Sequence, residues 1–236
     1  MSRSSLCRLA CVMGVIAGMF LAGTVLAQEW VEPFNGKDLT GWKLKGDQSR
    51  SKWVVGTAMV DPASPSQLIA APGGSDLVNH GDGHGVDIYT EATFGDAIVE
   101  VEVMVPKGSN SGIYMMGEYE IQVLDSFGRQ QLGMGDMGAI YGKAVPKLNA
   151  CKEPGQWQQF VIEYRAPKFD AQGNKTANGR IVKVTLNGQV IQENVELDGV
   201  GGGGVTGREA PKGPLMFQGN HGPVAYRNIR IKPLAK

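Results

Sequence analysis

From Ala97 onward, apolar and polar residues repeatedly alternate with a period of two, which marks strands that turn one face toward a core. In AIVEVEVMV, Ala97 to Val105, Val99, Val101, Val103 and Val105 share one face and Glu100 and Glu102 the other. YEIQVL, Tyr119 to Leu124, sets Tyr119, Ile121 and Val123 against Glu120 and Gln122. WQQFVIEY, Trp157 to Tyr164, is rich in the aromatic and branched residues that suit a pleated surface. IVKVTL, Asn187-Gly188 and QVIQ read as a hairpin, because Asn-Gly supplies the two positive-φ residues of a type I′ turn. Pro214 to Gln218 and Val224 to Ile231 read as closing strands. Turn residues recur roughly every ten positions, and outside the first 27 residues no three-turn stretch carries an amphipathic stripe. The pattern predicts an antiparallel all-β domain, with Ala166 to Gly179 and Gly201 to Gly213 as excursions that either frame a site or wander.

Composition narrows this. The 236 residues include 34 Gly and 12 Pro without a collagen period. Arg3 and Arg8 precede an uncharged stretch, Leu9 to Ala27, that ends in Val25-Leu26-Ala27. This predicts a signal peptide over residues 1–27, cleaved to leave a secreted or periplasmic single domain over 28–236. An uncleaved anchor is the alternative, but Gly14, Gly18, Gly23 and Thr24 dilute the apolar run. Of 23 basic and 23 acidic residues the segment takes only the two arginines, so 21 face 23 in the remainder. With no basic excess, neither nucleic acid nor a polybasic membrane contact is expected. Cys151 alone remains, which excludes an intramolecular disulfide framework and a cysteine-based zinc site.

Glu120 and Gln122, two apart on one strand face, stand about 7 Å from each other. That spacing suits a carboxylate acid or base beside an amide that holds a sugar hydroxyl; a solvated outer face is the bland alternative. Asp125 falls at the strand end, where the chain turns. His221, in FQGNHGP between two strands, is the better proton-transfer candidate among the histidines, an imidazole being the side chain suited to that role at physiological pH. His80, Asp82 and His84 lie among glycines and read as a loop, and no metal site is expected. Tyr141, Trp42, Trp53 and Trp157 are possible sugar platforms, although a tryptophan in a sandwich usually belongs to the core.

Several longer strings stand in one order: FNGKDLTGWK, WVVG at Trp53, DIYTEATFGD at Asp87, SNSGIY followed by YEIQVLD, GAIYGKAVPKLNA at Gly138, EPGQWQ at Glu153, LNGQVI, and PLMFQGNHGPVAYRNIRIKPL. Together they resemble the family of the 3-keto-disaccharide hydrolase domain, from about Phe34 to Leu234. The resemblance implies a concanavalin-like jelly roll of two curved antiparallel sheets, the concave face holding a carbohydrate. It also implies cleavage of glycosides first oxidised at carbon 3 by a partner oxidoreductase, a sugar 3-dehydrogenase, with no cofactor of the domain's own. A ketone at carbon 3 acidifies the carbon 2 proton, so one base, one donor to the enolate oxygen and one acid suffice. Carried over, Glu120 or His221 is the base; Gln122, Gln218 and Tyr141 orient the sugar, with Asp125 at the margin; Arg227 closes the back of the sandwich. Many relatives have arginine where this chain has Met116, which would remove a ligand contact. A non-catalytic carbohydrate-binding module using the same face, or a structural cell-surface domain, is the competing reading.

Overall fold

The computed structural model describes residues 29–235, so the expected signal segment lies outside it. Among the described residues there are fourteen strands: β1 Trp42–Lys45, β2 Trp53–Asp61, β3 Ser64–Asn79, β4 Asp87–Thr90, β5 Ala97–Met104, β6 Asn110–Met115, β7 Tyr119–Leu124, β8 Gln158–Arg165, β9 Lys168–Phe169, β10 Lys175–Ala177, β11 Gly179–Leu186, β12 Gln189–Leu197, β13 Met216–Phe217 and β14 Val224–Pro233. They form a jelly-roll sandwich of a five-stranded sheet, β1-β4-β13-β6-β7, and a seven-stranded sheet, β12-β11-β8-β5-β14-β3-β2, with β9 and β10 as a separate ribbon. Every pairing is antiparallel.

Period two decides which side chains meet between the sheets. Ile113 and Met115, Tyr119, Ile121 and Val123 face inward from the small sheet; Val99, Val101, Val103, Phe160 and Ile162 do so from the large one. A pile of aromatic rings crosses the sandwich: Trp42 on Phe217 at 5.5 Å, and Phe217 nearly parallel to Tyr226 at 3.8 Å. Phe217 is thereby held from both sheets. The Tyr226 hydroxyl lies 2.9 Å from Ser111 Oγ, which donates to Gln218 O at 2.7 Å, so no polar end of the pile is stranded.

The outer face of the large sheet is a charged ladder. Arg230 Nε donates to Glu100 at 2.7 Å and Arg227 Nε to Glu102 at 2.8 Å, with the Arg227 guanidinium 4.1 Å over the Trp157 ring. Asn187 and Gly188 both have positive φ, as the Asn-Gly hairpin requires. The final segment differs from expectation: Pro214 to Gln218 contracts to the two-residue β13, and the long β2–β3 hairpin occupies a stretch in which Pro62, Pro65, Pro72, Gly73 and Gly74 mimic a loop. Its register shifts after Gly56, where Pro72 to Ser75 bulge out, and a Cβ on Gly74 would stand 2.2 Å from Thr57 N. Replacing Phe217 with alanine is expected to cost about 3–5 kcal/mol, read from the urea midpoint at unchanged m-value. A loss below about 1 kcal/mol would show that the aromatic pile does not hold β13.

Candidate active site

Because Tyr119, Ile121 and Val123 fill the core, Glu120 and Gln122 project from the opposite face of the small sheet, yet they are only 7% and 6% exposed. The solvated-face alternative therefore fails for β7. The cover comes from three loops remote in sequence. Residues 138–141 run along β7: Gly138 N donates to Gln122 O at 2.8 Å, Gln122 N to Ala139 O at 2.9 Å, and Tyr141 N to Glu120 O at 3.1 Å. The glycine-rich excursion wraps the β6–β7 turn, where the buried Glu118 carboxylate accepts from Thr206 N at 2.7 Å, Thr206 Oγ1 at 2.8 Å and Gly207 N at 3.0 Å. Lys45 Nζ donates to Gly203 O, tying the same loop to β1. The third cover is the turn 219–222, which carries His221.

These loops enclose a cavity of about 260 Å³. Five of the six residues singled out from the sequence line it: Glu120, Gln122, Tyr141, Gln218 and His221. Asn110 and Tyr114 complete the floor from β6, and Gly202 and Gly203 form a wall. β6 and β7 pair Tyr114 with Glu120 and Gly112 with Gln122. Glycine at 112 makes room for the carboxylate, since a Cβ there would stand 2.4 Å from Glu120 Oε1.

Burial pushes the Glu120 carboxyl up to about 7; the Tyr114 hydroxyl, hydrogen-bonded to it, works in the opposite direction, and the charge of Asp87 adds to the rise. Tyr114 is itself held well above the usual phenol range, first by burial and then by Glu120. Asp87 lies beneath, 4% exposed, accepting from Gly219 N at 3.0 Å and Lys45 Nζ at 3.3 Å. The two amides are only half used. Gln122 Nε2 donates to Asn110 Oδ1 and Gln218 Nε2 to the Tyr114 hydroxyl, each at 3.3 Å, while the Oε1 atoms of both are buried without a partner. Each such oxygen costs about 1–3 kcal/mol in the unliganded protein. His221 is exposed at the rim; its Nδ1 meets Asn220 Oδ1, leaving Nε2 for proton exchange.

Asp125 is not part of this lining. β7 ends at Leu124, and the carboxylate turns back to accept from Gly108 N at 2.9 Å and Phe127 N at 3.4 Å. Met116 is 4% exposed within the hydrophobic core and does not line the cavity. Trp42 and Trp53 are core residues and Trp157 lies under Arg227 on the far sheet, so none is a platform here. Arg227 sits on that back face. Among the described residues no group of three or more His, Cys, Asp or Glu is gathered to hold a metal ion. Tyr114 and Asn110 escaped sequence reading, although both share the i, i+2 face of Gly112.

The folded-state value for Glu120 lies above its ordinary 4.5, so ionisation opposes folding: the cost is absent below pH 4.5, grows as pH rises, and is complete above about 7. It amounts to about 3 kcal/mol. Glu120→Gln should therefore match the parent in urea unfolding near pH 4.5 and exceed it by up to about 3 kcal/mol near pH 8. An offset that does not widen with pH would contradict the burial described.

Three solved proteins of Parabacteroides distasonis ATCC 8503, provisionally described as glycosyl hydrolases, share the fold. One is 27% identical, with 87% of this chain and 84% of that chain covered at a TM-score of 0.66. A second is 20% identical over 87% and 94%, with a TM-score of 0.59. No curated protein matches the sequence. The model of the 3-keto-α-glucoside-1,2-lyase-like domain matches residues 29–232, and the chain belongs to that family.

Proposed function

We propose that this protein cleaves neutral glycosides whose sugar ring carries a ketone at carbon 3, with Glu120 as the base. The observation that carries this is a single buried carboxyl, poised near neutrality, in a cavity whose other polar groups are amides, phenols and an imidazole. Ordinary glycosidases need two carboxylates flanking the bond, about 5–5.5 Å or 6.5–9.5 Å apart. Glu120 is the one carboxylate lining this cavity, and Asp87 is occupied by Lys45 and Gly219. One base is what elimination next to a ketone requires.

The Glu120 carboxylate takes the proton from carbon 2, and the C–H electron pair forms the enolate of the carbon 3 ketone. As the ketone re-forms, a double bond closes between carbons 1 and 2 and the bond from carbon 1 to the leaving oxygen breaks. That oxygen takes a proton from His221 Nε2 at the rim. Water then adds across the double bond: its hydroxyl joins carbon 1 as its proton passes to His221 Nε2, and Glu120 returns the proton it took to carbon 2, so that both groups are restored and the net reaction is hydrolysis. Tyr114 holds the base, and the unpartnered oxygens of Gln122 and Gln218 accept ring hydroxyls. The cavity, near the lower limit for small-ligand sites, suits one ring with the leaving group outside, beside the half-exposed Tyr141. The ketone must come from a prior oxidation, by a sugar 3-dehydrogenase class of enzyme, and the leading segment of this chain supports a secreted or periplasmic setting for it.

Incubation with a 3-keto-disaccharide should release a monosaccharide or an unsaturated intermediate, and Glu120→Gln should lower kcat by more than about 10³-fold with the fold retained. Since the base must be ionised, kcat/KM should fall about tenfold per pH unit below about pH 7. Sugar binding without turnover on any 3-keto-glycoside would instead identify a carbohydrate-binding module. Gln122→Met and Gln218→Met should each weaken sugar affinity while raising the melting temperature of the unliganded protein, because each removes an orphaned oxygen. A variant that loses stability together with affinity would show that the amide is structural.

A further inference from the structure

We propose that Asn79 is the positioning residue for His221, and that the His80–His84 turn is the cradle in which the His221 loop is held. This rests on the place given to His221 above, and it accounts for the HGDGH string that the site itself does not use.

Asn79 ends β3, the strand next to the β2 edge of the large sheet, its backbone paired to Trp53 on one side and Val224 on the other. Its side chain is fully buried, and Nδ2 reaches three carbonyl oxygens: Gly83 O at 2.9 Å, Gly219 O at 3.0 Å and Gly222 O at 3.0 Å. Two of these bracket Asn220-His221, and the third belongs to the HGDGH turn. Asn79 Oδ1 has no partner. Rotating the amide to satisfy it would point that oxygen at three carbonyl oxygens, so the trio fixes the orientation and the orphan persists.

The turn and the loop also touch directly. Gly85 N donates to Gly219 O at 2.9 Å, and His84 Nδ1 lies 3.4 Å from Asn220 O. A Cβ on Gly83 would stand 2.1 Å from Gly222 C, and one on Gly222 would stand 2.6 Å from Ser109 Oγ at the start of β6. With Gly219 N bound to Asp87, the four-residue loop is clamped from three sides, and His221 is the side chain it presents to the cavity.

The chain contains three histidines in all, so each imidazole signal can be assigned by single His→Ala variants in NMR of the whole protein. Asn79→Ala should shift or broaden the His221 signal; an unchanged His221 signal in the folded variant overturns the proposal. In turnover, Asn79→Ala should lower kcat about 10- to 100-fold in the parent and by less than about twofold in a His221→Ala background. Equal losses in both backgrounds would mark Asn79 as merely structural. A displaced signal with no turnover by the parent itself would sink the proposed reaction and leave the positioning intact. Should Asn79→Ala fail to fold, hydrogen exchange on the parent decides: Gly85 N–H and Gly219 N–H should open together. Protection differing by more than about tenfold would overturn the cradle.

Discussion

The ring of Phe217, wedged between Trp42 and Tyr226, is the contact on which the small sheet and its cavity both depend. β13 is two residues long, yet it is what joins β4 to β6; remove it and the small sheet separates into two pairs of strands. So short a ladder cannot fix its own register through hydrogen bonds, and packing must do so. Once Phe217 is seated inward, Gln218 must face outward, and its N–H donates to Gly112 O beneath the carboxylate. The loop to His221 begins one residue later. A core contact thus sets the angular position of groups on the opposite face of the sheet.

Glu120 shows the opposite balance. Its burial disfavours the charge at every pH where it would act as a base, and Asp87 adds to that cost while Tyr114 only partly offsets it. Two glutamine oxygens nearby are likewise left unsatisfied. Such concentrations of unfavourable terms in one small volume, within an otherwise well-paired sandwich, are characteristic of sites that a ligand completes. Glu100 and Glu102 on the large sheet's outer face offer the contrast, for each is met by an arginine.

Much of this was legible in the sequence where the physics was local. Alternation located β7 to the residue and gave Glu120 and Gln122 a common face; Asn-Gly gave the β11–β12 hairpin. The β2–β3 hairpin was hidden because its bulge uses Pro72, Gly73 and Gly74, the residues that elsewhere end strands. Burial of the Glu120 face could not be read from β7, since its cover comes from residues 138–141, 201–207 and 219–222. Asp125 lies outside the cavity because one residue past a strand end the period no longer applies. Asn110 and Tyr114 look like ordinary strand residues until Gly112 between them is seen to leave space for a carboxylate.

The segment 138–141 has a second consequence. β7 is the last strand of its sheet, and without that segment its outward N–H and C=O groups would be open to pairing with another molecule. The hydrogen bonds that bring Tyr141 to the cavity are the same ones that blunt this edge. Change in the Tyr141 loop is therefore constrained by solubility: lengthening or loosening it risks intermolecular strand addition as well as reshaping the cavity.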